Sequence, residues 1–257
     1  MIKYIDAHTH LSDEAYDDDL DLVMARIIEN NIVCVNSICD SFEAIEKNLL
    51  LKKRFPDLLD LSVGLHPASL KDYTEADYQK IKEAIFDERF VCVGEIGLDY
   101  HWHKDNVLEQ KEVFVEQIYM ANSVKKPIML HIREAYNDAY EILKLHRPES
   151  GCILHCYSGS LEMAFKFLDL GCYLSFGGSL TFKNNKKGFE VVKECPLERL
   201  FSETDAPYLS PEPFRGKRNE VSRVIYVVNK IAEVKNLSIE LVAKQLLINY
   251  NDVFRRS

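Results

Sequence analysis

The sequence predicts a (β/α)8 barrel, on three observations. Short apolar runs alternate with longer helical patterns from end to end of 257 residues. Eight such runs occur, each near-continuously apolar, as expected of parallel strands covered by helices. Eight strand–helix units in about 250 residues match the size of this barrel. An open, doubly wound sheet is the competing arrangement. No G-x-G-x-x-G follows the first run, which weighs against its dinucleotide-binding form. No linker, low-complexity tract or repeat beyond the βα unit interrupts the pattern, so residues 1–257 read as one domain.

The first strand, Ile2–Asp6, leads into His8 and His10. Leu20, Val23, Met24 and Ile27 then fall at i, i+3, i+4 and i+7 of a helix. Asp17, Asp18 and Asp19 precede it, where the macrodipole favours negative charge. Strand Ile32–Ile38 is followed by helix Ser41–Arg54, and strand Leu59–Leu65 by helix Thr74–Arg89. Strand Phe90–Glu95 precedes helix Asn106–Lys125, and strand Pro127–Ile132 precedes helix Glu134–His146. His146 sits in a last turn, a structural or solvated position. After strand Cys152–His155, Leu161, Ala164, Phe165 and Leu168 repeat the helical stripe, and Gly171 stops it. Strand Cys172–Phe176 leads to a shorter helix near Lys187–Cys195, before Pro196. After strand Leu200–Glu203, two helices close the chain. Val221, Val224, Ile225, Val228, Ile231 and Ala232 stripe the first, and Ser238 caps the second.

Composition narrows the class. The chain is 47% apolar and 28% charged, enough to bury a full core. Its formal charge of −9 argues against a passive, high-affinity nucleic-acid coat. An enzyme that handles nucleic acid in one local cleft stays open. Seven cysteines are scattered without a C-x-x-C, against a zinc knuckle or redox pair. No apolar run is long enough to span a membrane, and no signal peptide is evident, so a reducing cytoplasm is expected.

Active sites of these barrels form at the C-terminal ends of the strands. Five of the eight histidines fall there: His8 and His10 after the first strand, then His66, His131 and His155. Glu95 ends the fourth strand and Asp205 follows the eighth. A second histidine pair, His101 and His103, has the same i, i+2 spacing without that placement. Histidines and carboxylates converging on one mouth indicate a metal site. The donors exceed what one tetrahedral ion needs and suit two ions, with Glu95 as a bridge. Mixed nitrogen and oxygen donors suit Zn²⁺, Mn²⁺ or Fe²⁺, whereas Mg²⁺ prefers oxygen-rich sites. Asp205 is placed to accept the nucleophile's proton, to ligate, or both.

The chain resembles the TatD family of metal-dependent deoxyribonucleases, in the amidohydrolase superfamily. The resemblance rests on DAHTHL (Asp6–Leu11), GLHP (Gly64–Pro67), GEIGLDY (Gly94–Tyr100) and HIREA (His131–Ala135). HCYSGS (His155–Ser160), ETDAPYLSP (Glu203–Pro211) and RGKRNE (Arg215–Glu220) complete it, in the family's order. It implies hydrolysis of phosphodiester bonds with two divalent ions (Mg²⁺, Mn²⁺ or Zn²⁺). It also implies the ligands His8, His10, Glu95, His131, His155 and Asp205, with Glu95 and Asp205 catalytic. His66 then becomes a supporting or substrate-contacting residue. Relatives outside the nuclease branch often bridge their metals with a carboxylated lysine where this chain has Glu95. The family usually continues RGKRNE with proline, but Val221 stands here, which predicts a looser entry to the following helix.

Arg133, Arg215 and Lys217 are the candidate phosphate contacts, with Arg218, Lys183, Lys186 and Lys187 on the same rim. Trp102 or Tyr100 offers a ring for an unpaired base. Lacking a deep basic track for duplex, the chain is expected to act on single strands or strand ends of DNA, with RNA as the second polynucleotide. The resemblance implies attack from the 3′ end. No obligate protein partner is evident. The competing readings are an amidohydrolase acting on a small cyclic amide, lactone or acyl ester, and a non-catalytic scaffold that keeps the donors.

Overall fold

A computed structural model describes residues 1–102 and 104–255. Eight parallel strands form one sheet in chain order: β1 (Tyr4–Thr9), β2 (Ile32–Cys39), β3 (Leu59–Val63), β4 (Cys92–Asp99), β5 (Ile128–Arg133), β6 (Cys152–Leu154), β7 (Tyr173–Phe176) and β8 (Leu200–Ser202). Interleaved helices cover it: α1 (Leu20–Glu29), α2 (Phe42–Arg54), α3 (Glu75–Ile85), α4 (Val107–Ser123), α5 (Tyr136–Leu145), α6 (Leu161–Asp169), α7 (Lys186–Glu194), α8 (Val224–Lys235) and α9 (Ile239–Phe254). This is the expected (β/α)8 barrel.

The barrel is drawn together where its first and last strands meet. Ser202 Oγ donates to Ile5 O at 3.1 Å, and the Asp205 N–H donates to His8 O at 3.0 Å. The His10 N–H returns to Ala206 O at 2.8 Å. Between them, Asp6 accepts from the Thr204 N–H at 3.0 Å and from its hydroxyl at 2.5 Å. Burial pushes the Asp6 carboxyl well above its usual range, against these hydrogen bonds.

Two strands run further than their apolar composition suggests. β1 continues through His8 to Thr9, which pairs with Ser37 of β2. β4 continues four residues past Glu95 to Asp99, pairing Gly97 with His131 and Asp99 with Arg133. The polar residues there are masked as strand formers because they point into the site. Gly97 makes the β4–β5 approach possible. Its φ is +137°, and a Cβ on it would lie 2.2 Å from His131 O.

Helix ends are shorter than the periodicity predicts, for local reasons. Thr74 caps α3 in a reciprocal box with Asp77. That helix stops at Ile85, because Asp87 folds back to accept from the Arg89 N–H and guanidinium. Glu134, at φ +57°, turns the chain before α5 starts at Tyr136. His146 lies one residue past α5 and hydrogen-bonds the Tyr119 hydroxyl at 2.8 Å. Gly171 follows α6 at φ +87°, and Ser238 caps α9 by accepting from the Leu241 N–H, both as expected. Asp19 precedes α1 but makes no side-chain cap. Its carboxylate instead accepts from Arg218 at 2.7 and 2.8 Å. Val221 does not loosen the entry to α8. It lies buried in a short 3₁₀ turn, in a cluster with Tyr16, Met24 and Val224.

Among the described residues, no helix is long and apolar enough to cross a membrane.

Candidate metal centre

A cleft of about 740 Å³ opens at the C-terminal ends of the strands. Its floor is built around one carboxylate. Glu95 is buried in mid-β4, where the register with β5 shifts between Val93 and Ile96. Its Oε1 lies 2.7 Å from His131 Nδ1, 2.9 Å from His155 Nε2 and 3.6 Å from His66 Nε2. Its Oε2 lies 3.3 Å from His8 Nε2. Asp205 Oδ1 approaches His10 Nε2 at 3.5 Å and His8 Nε2 at 3.6 Å. The His8 and His155 rings stack at 3.9 Å.

The electrostatics follow from this crowding. Burial works to raise the Glu95 carboxyl, but the surrounding imidazoles, His155 and His8 foremost, hold it well below the carboxylate range. Burial opposes charge on His10, yet its hydrogen bond to Asp205 raises the ring to about 9. His8 is pushed down by burial and by the neighbouring His155.

This donor set fits divalent cations. His8 Nε2 faces His10 Nε2 at 3.3 Å together with oxygens of Glu95 and Asp205. One ring proton can serve only one of those three acceptors, whereas a cation serves them all. His8 Nδ1, His155 Nδ1 and Glu203 Oε2 are buried without a hydrogen-bond partner among the described residues. Three groups have donor atoms within 4.8 Å of one another: His8, His10 and Glu95; His8, His155 and Asp205; His66, Glu95 and His131. All six residues expected as ligands are thus brought together. His66, expected only as a supporting or substrate contact, stands in the same crowd, and its Nδ1 accepts from the Ala68 N–H at 3.2 Å.

Three carboxylates that the sequence reading passed over hold the donors in place. Asp99 Oδ2 lies 2.9 Å from His131 Nε2. Burial would raise the Asp99 carboxyl, but the His131 hydrogen bond takes it down to about 2. Glu203, fully buried, accepts from the Cys156 N–H at 2.6 Å and lies 3.3 Å from His155 Nδ1. Asp6 accepts from the His8 N–H at 3.2 Å. For Asp99, strand periodicity carries the signal, since it is four residues from Glu95 on the same strand; Glu203 lies just past β8, where only its closeness to Asp205 in sequence marks it.

The rim is uneven. Asp13, Glu14, Asp17, Asp40 and Glu43 line the cleft on the β1–β2 side, offset by Lys47, which pairs with Asp17 and Glu43. Arg133 and Trp102 line the opposite side. Arg215 and Lys217 are exposed on the loop before α8 and do not line this cleft. The Arg215 guanidinium lies over the Phe182 ring, 4.3 Å from its centroid. Arg218 is committed to Asp19 and Glu220. Of the second histidine pair, His101 is exposed and bonded to Glu134 at 2.9 Å, and His103 lies outside the described residues.

The profile of a family described as TatD related DNase matches residues 5–255. A protein from Bacillus subtilis, named uncharacterized metal-dependent hydrolase YabD, is 43% identical over 251 residues, covering 97% of this chain and 98% of that one. The uncharacterized metal-dependent hydrolase YcfH of Escherichia coli is 31% identical over 255 residues, covering 97% and 95%. Among solved structures, YJJV, a TatD homologue from Escherichia coli, superposes with a TM-score of 0.92 at 26% identity, over 99% of this chain and 98% of that one.

Proposed function

Since the chain belongs to the family of TatD-related DNases, which are metal-dependent hydrolases, we propose that it cleaves phosphodiester bonds of DNA, from the 3′ end of single strands. The observation that carries this reading is the convergence on Glu95 of four imidazoles, with Asp205 beside His8 and His10.

His8, His10, Glu95, His131, His155 and Asp205 are the residues that would hold two divalent ions, Mg²⁺, Mn²⁺ or Zn²⁺. Bound there, such ions offset charge on the phosphodiester oxygens and make water more acidic. Asp205 Oδ1 accepts the proton of the attacking water. The new P–O bond forms as the bond from phosphorus to the 3′ oxygen breaks, and that oxygen takes a proton from solvent. Asp99 hydrogen-bonds the His131 ring and Glu203 faces His155 Nδ1 at 3.3 Å, so both carboxylates favour one setting of those donors before substrate arrives. Arg133 binds a phosphate at the rim and His66 contacts the substrate at the floor, whereas Arg215 and Lys217, on the loop after β8 and outside the cleft, reach only a longer polynucleotide that also lies over that loop. Cysteines without disulfide bonds suit a reducing cytoplasm.

End-labelled single-stranded DNA incubated with metal-loaded protein tests the reading. The wild type should produce a ladder that EDTA abolishes. Asp205→Asn should lose about 10²–10⁴-fold in kcat, the range for a positioned proton acceptor. Metal analysis should find close to two ions per wild-type chain. Turnover of an amide, lactone or acyl ester, with no ladder in Mg²⁺, Mn²⁺ or Zn²⁺, would refute it.

A further inference from the structure

Trp102 is the only tryptophan of the chain, and it is 64% exposed at the mouth of the metal cleft. A large aromatic ring left in water gains nothing from the core. Its backbone is nevertheless fixed. The Trp102 and His101 N–H groups donate to Asp99 Oδ1 at 3.0 and 2.8 Å. Beside the ring stands Arg133, two residues beyond His131 on β5, its guanidinium 5.4 Å from the indole centroid. Among the described residues, no carboxylate pairs with Arg133. The polar fork and the open ring therefore form one unit at the edge of the cleft.

We propose that Trp102 and Arg133 form a nucleotide subsite: the indole stacks on an unpaired base, and Arg133 takes the phosphate attached to that nucleoside. This rests on the nuclease reading and deepens it, by naming where the strand lies. A ring offers every base a face, so the subsite is tolerant of sequence but demands an unstacked, single-stranded base. The acidic rim formed by Asp13, Glu14, Asp17, Asp40 and Glu43 repels phosphates on the opposite side. The strand therefore leaves the cleft over β4 and β5. Asp99 keeps the subsite in register with the metal donors, since one of its oxygens holds the Trp102 loop and the other holds His131.

The lone tryptophan is its own reporter. Emission of the full chain is followed while dTMP, dAMP or 2-deoxyribose 5-phosphate is added, in EDTA and again with Mn²⁺. The nucleotides should quench saturably and the base-free sugar phosphate should not. In steady-state cleavage of single-stranded DNA, Trp102→Leu should raise KM roughly tenfold, with a smaller change in kcat, and Trp102→Tyr should restore most of the loss. Quenching by the sugar phosphate alone, or an equal KM rise in the Leu and Tyr variants, would overturn the stacking role. No nucleotide quenching in a protein that ladders DNA overturns the subsite and leaves the nuclease reading standing. Nucleotide quenching without any DNA cleavage does the reverse.

Discussion

At the residue scale, the candidate donors are backed by the carboxylates of Asp99, Glu203 and Asp6. Asp99 gives one oxygen to His131 Nε2 at 2.9 Å. Replacing it with asparagine keeps the shape but lets the amide present the wrong group to the ring. Asp99→Asn should weaken metal affinity about 10–100-fold, as measured by competition with a chromogenic chelator. A merely structural role would lower the melting temperature and leave affinity alone. The candidate donors themselves were legible because histidine and glutamate at strand ends are uncommon and they fell at matching places in successive strands. Asp99 and Glu203 were not singled out, since an aspartate or glutamate in a short motif looks like any surface acid. Only the pleat, which puts residues 95, 97 and 99 on one face, separates Asp99 from that background, and Glu203, just past β8, has no such mark. His66 was assigned a lesser part because its strand ends in a loop signal, Leu65-His66-Pro67. Nothing in that signal shows the ring turning to within 3.6 Å of Glu95.

At the scale of elements, β4 is the strand on which the site is assembled. Its apolar half was readable, and its polar half was not, because Glu95 and Asp99 interrupt the run that identifies a covered strand. Gly97 sits between them with its α-carbon pressed toward β5. Gly97→Ala would force either the φ of +137° or the contact at 2.2 Å to give way. The variant should be destabilised by about 3 kcal/mol or more in urea titration, from backbone strain and overpacking together. Because the contact is to His131 O, metal affinity should fall with stability. Helix existence was read well and helix ends poorly. Capping by Thr74 and the Asp87–Arg89 turn are settled by side-chain hydrogen bonds that periodicity does not register.

For the whole molecule, a formal charge of −9 has to coexist with the polyanionic substrate proposed for it. The sequence showed the total but not its distribution. The acids of the rim come from the segment after β1, from Asp40 after β2 and from Glu43 in the first turn of α2, and the barrel alone places them opposite Arg133. With few cations at the cleft, counterion release on binding should be small. Affinity for single-stranded DNA should fall with salt along a log–log slope of roughly −1 to −2, and Arg133→Ala should flatten it by about 0.7. Titration by fluorescence anisotropy in EDTA at several salt concentrations reads this directly. A steep slope, of the kind produced by many phosphate contacts, would place the strand on a surface other than the one described.

The seam between β1 and β8 has a consequence for the birth of the protein. His8 O and the His10 N–H are bound by the backbone of residues 205 and 206. During synthesis the first two donors leave the ribosome early, and Asp205 leaves it last among the six. A nascent chain thus carries most of the donors for a long interval without the strand that draws them together. The candidate donor set is complete only when about four-fifths of the chain has been made. A chain that ended before β8 would keep the His66, Glu95 and His131 group but lack Asp205 and the seam that holds β1 in place.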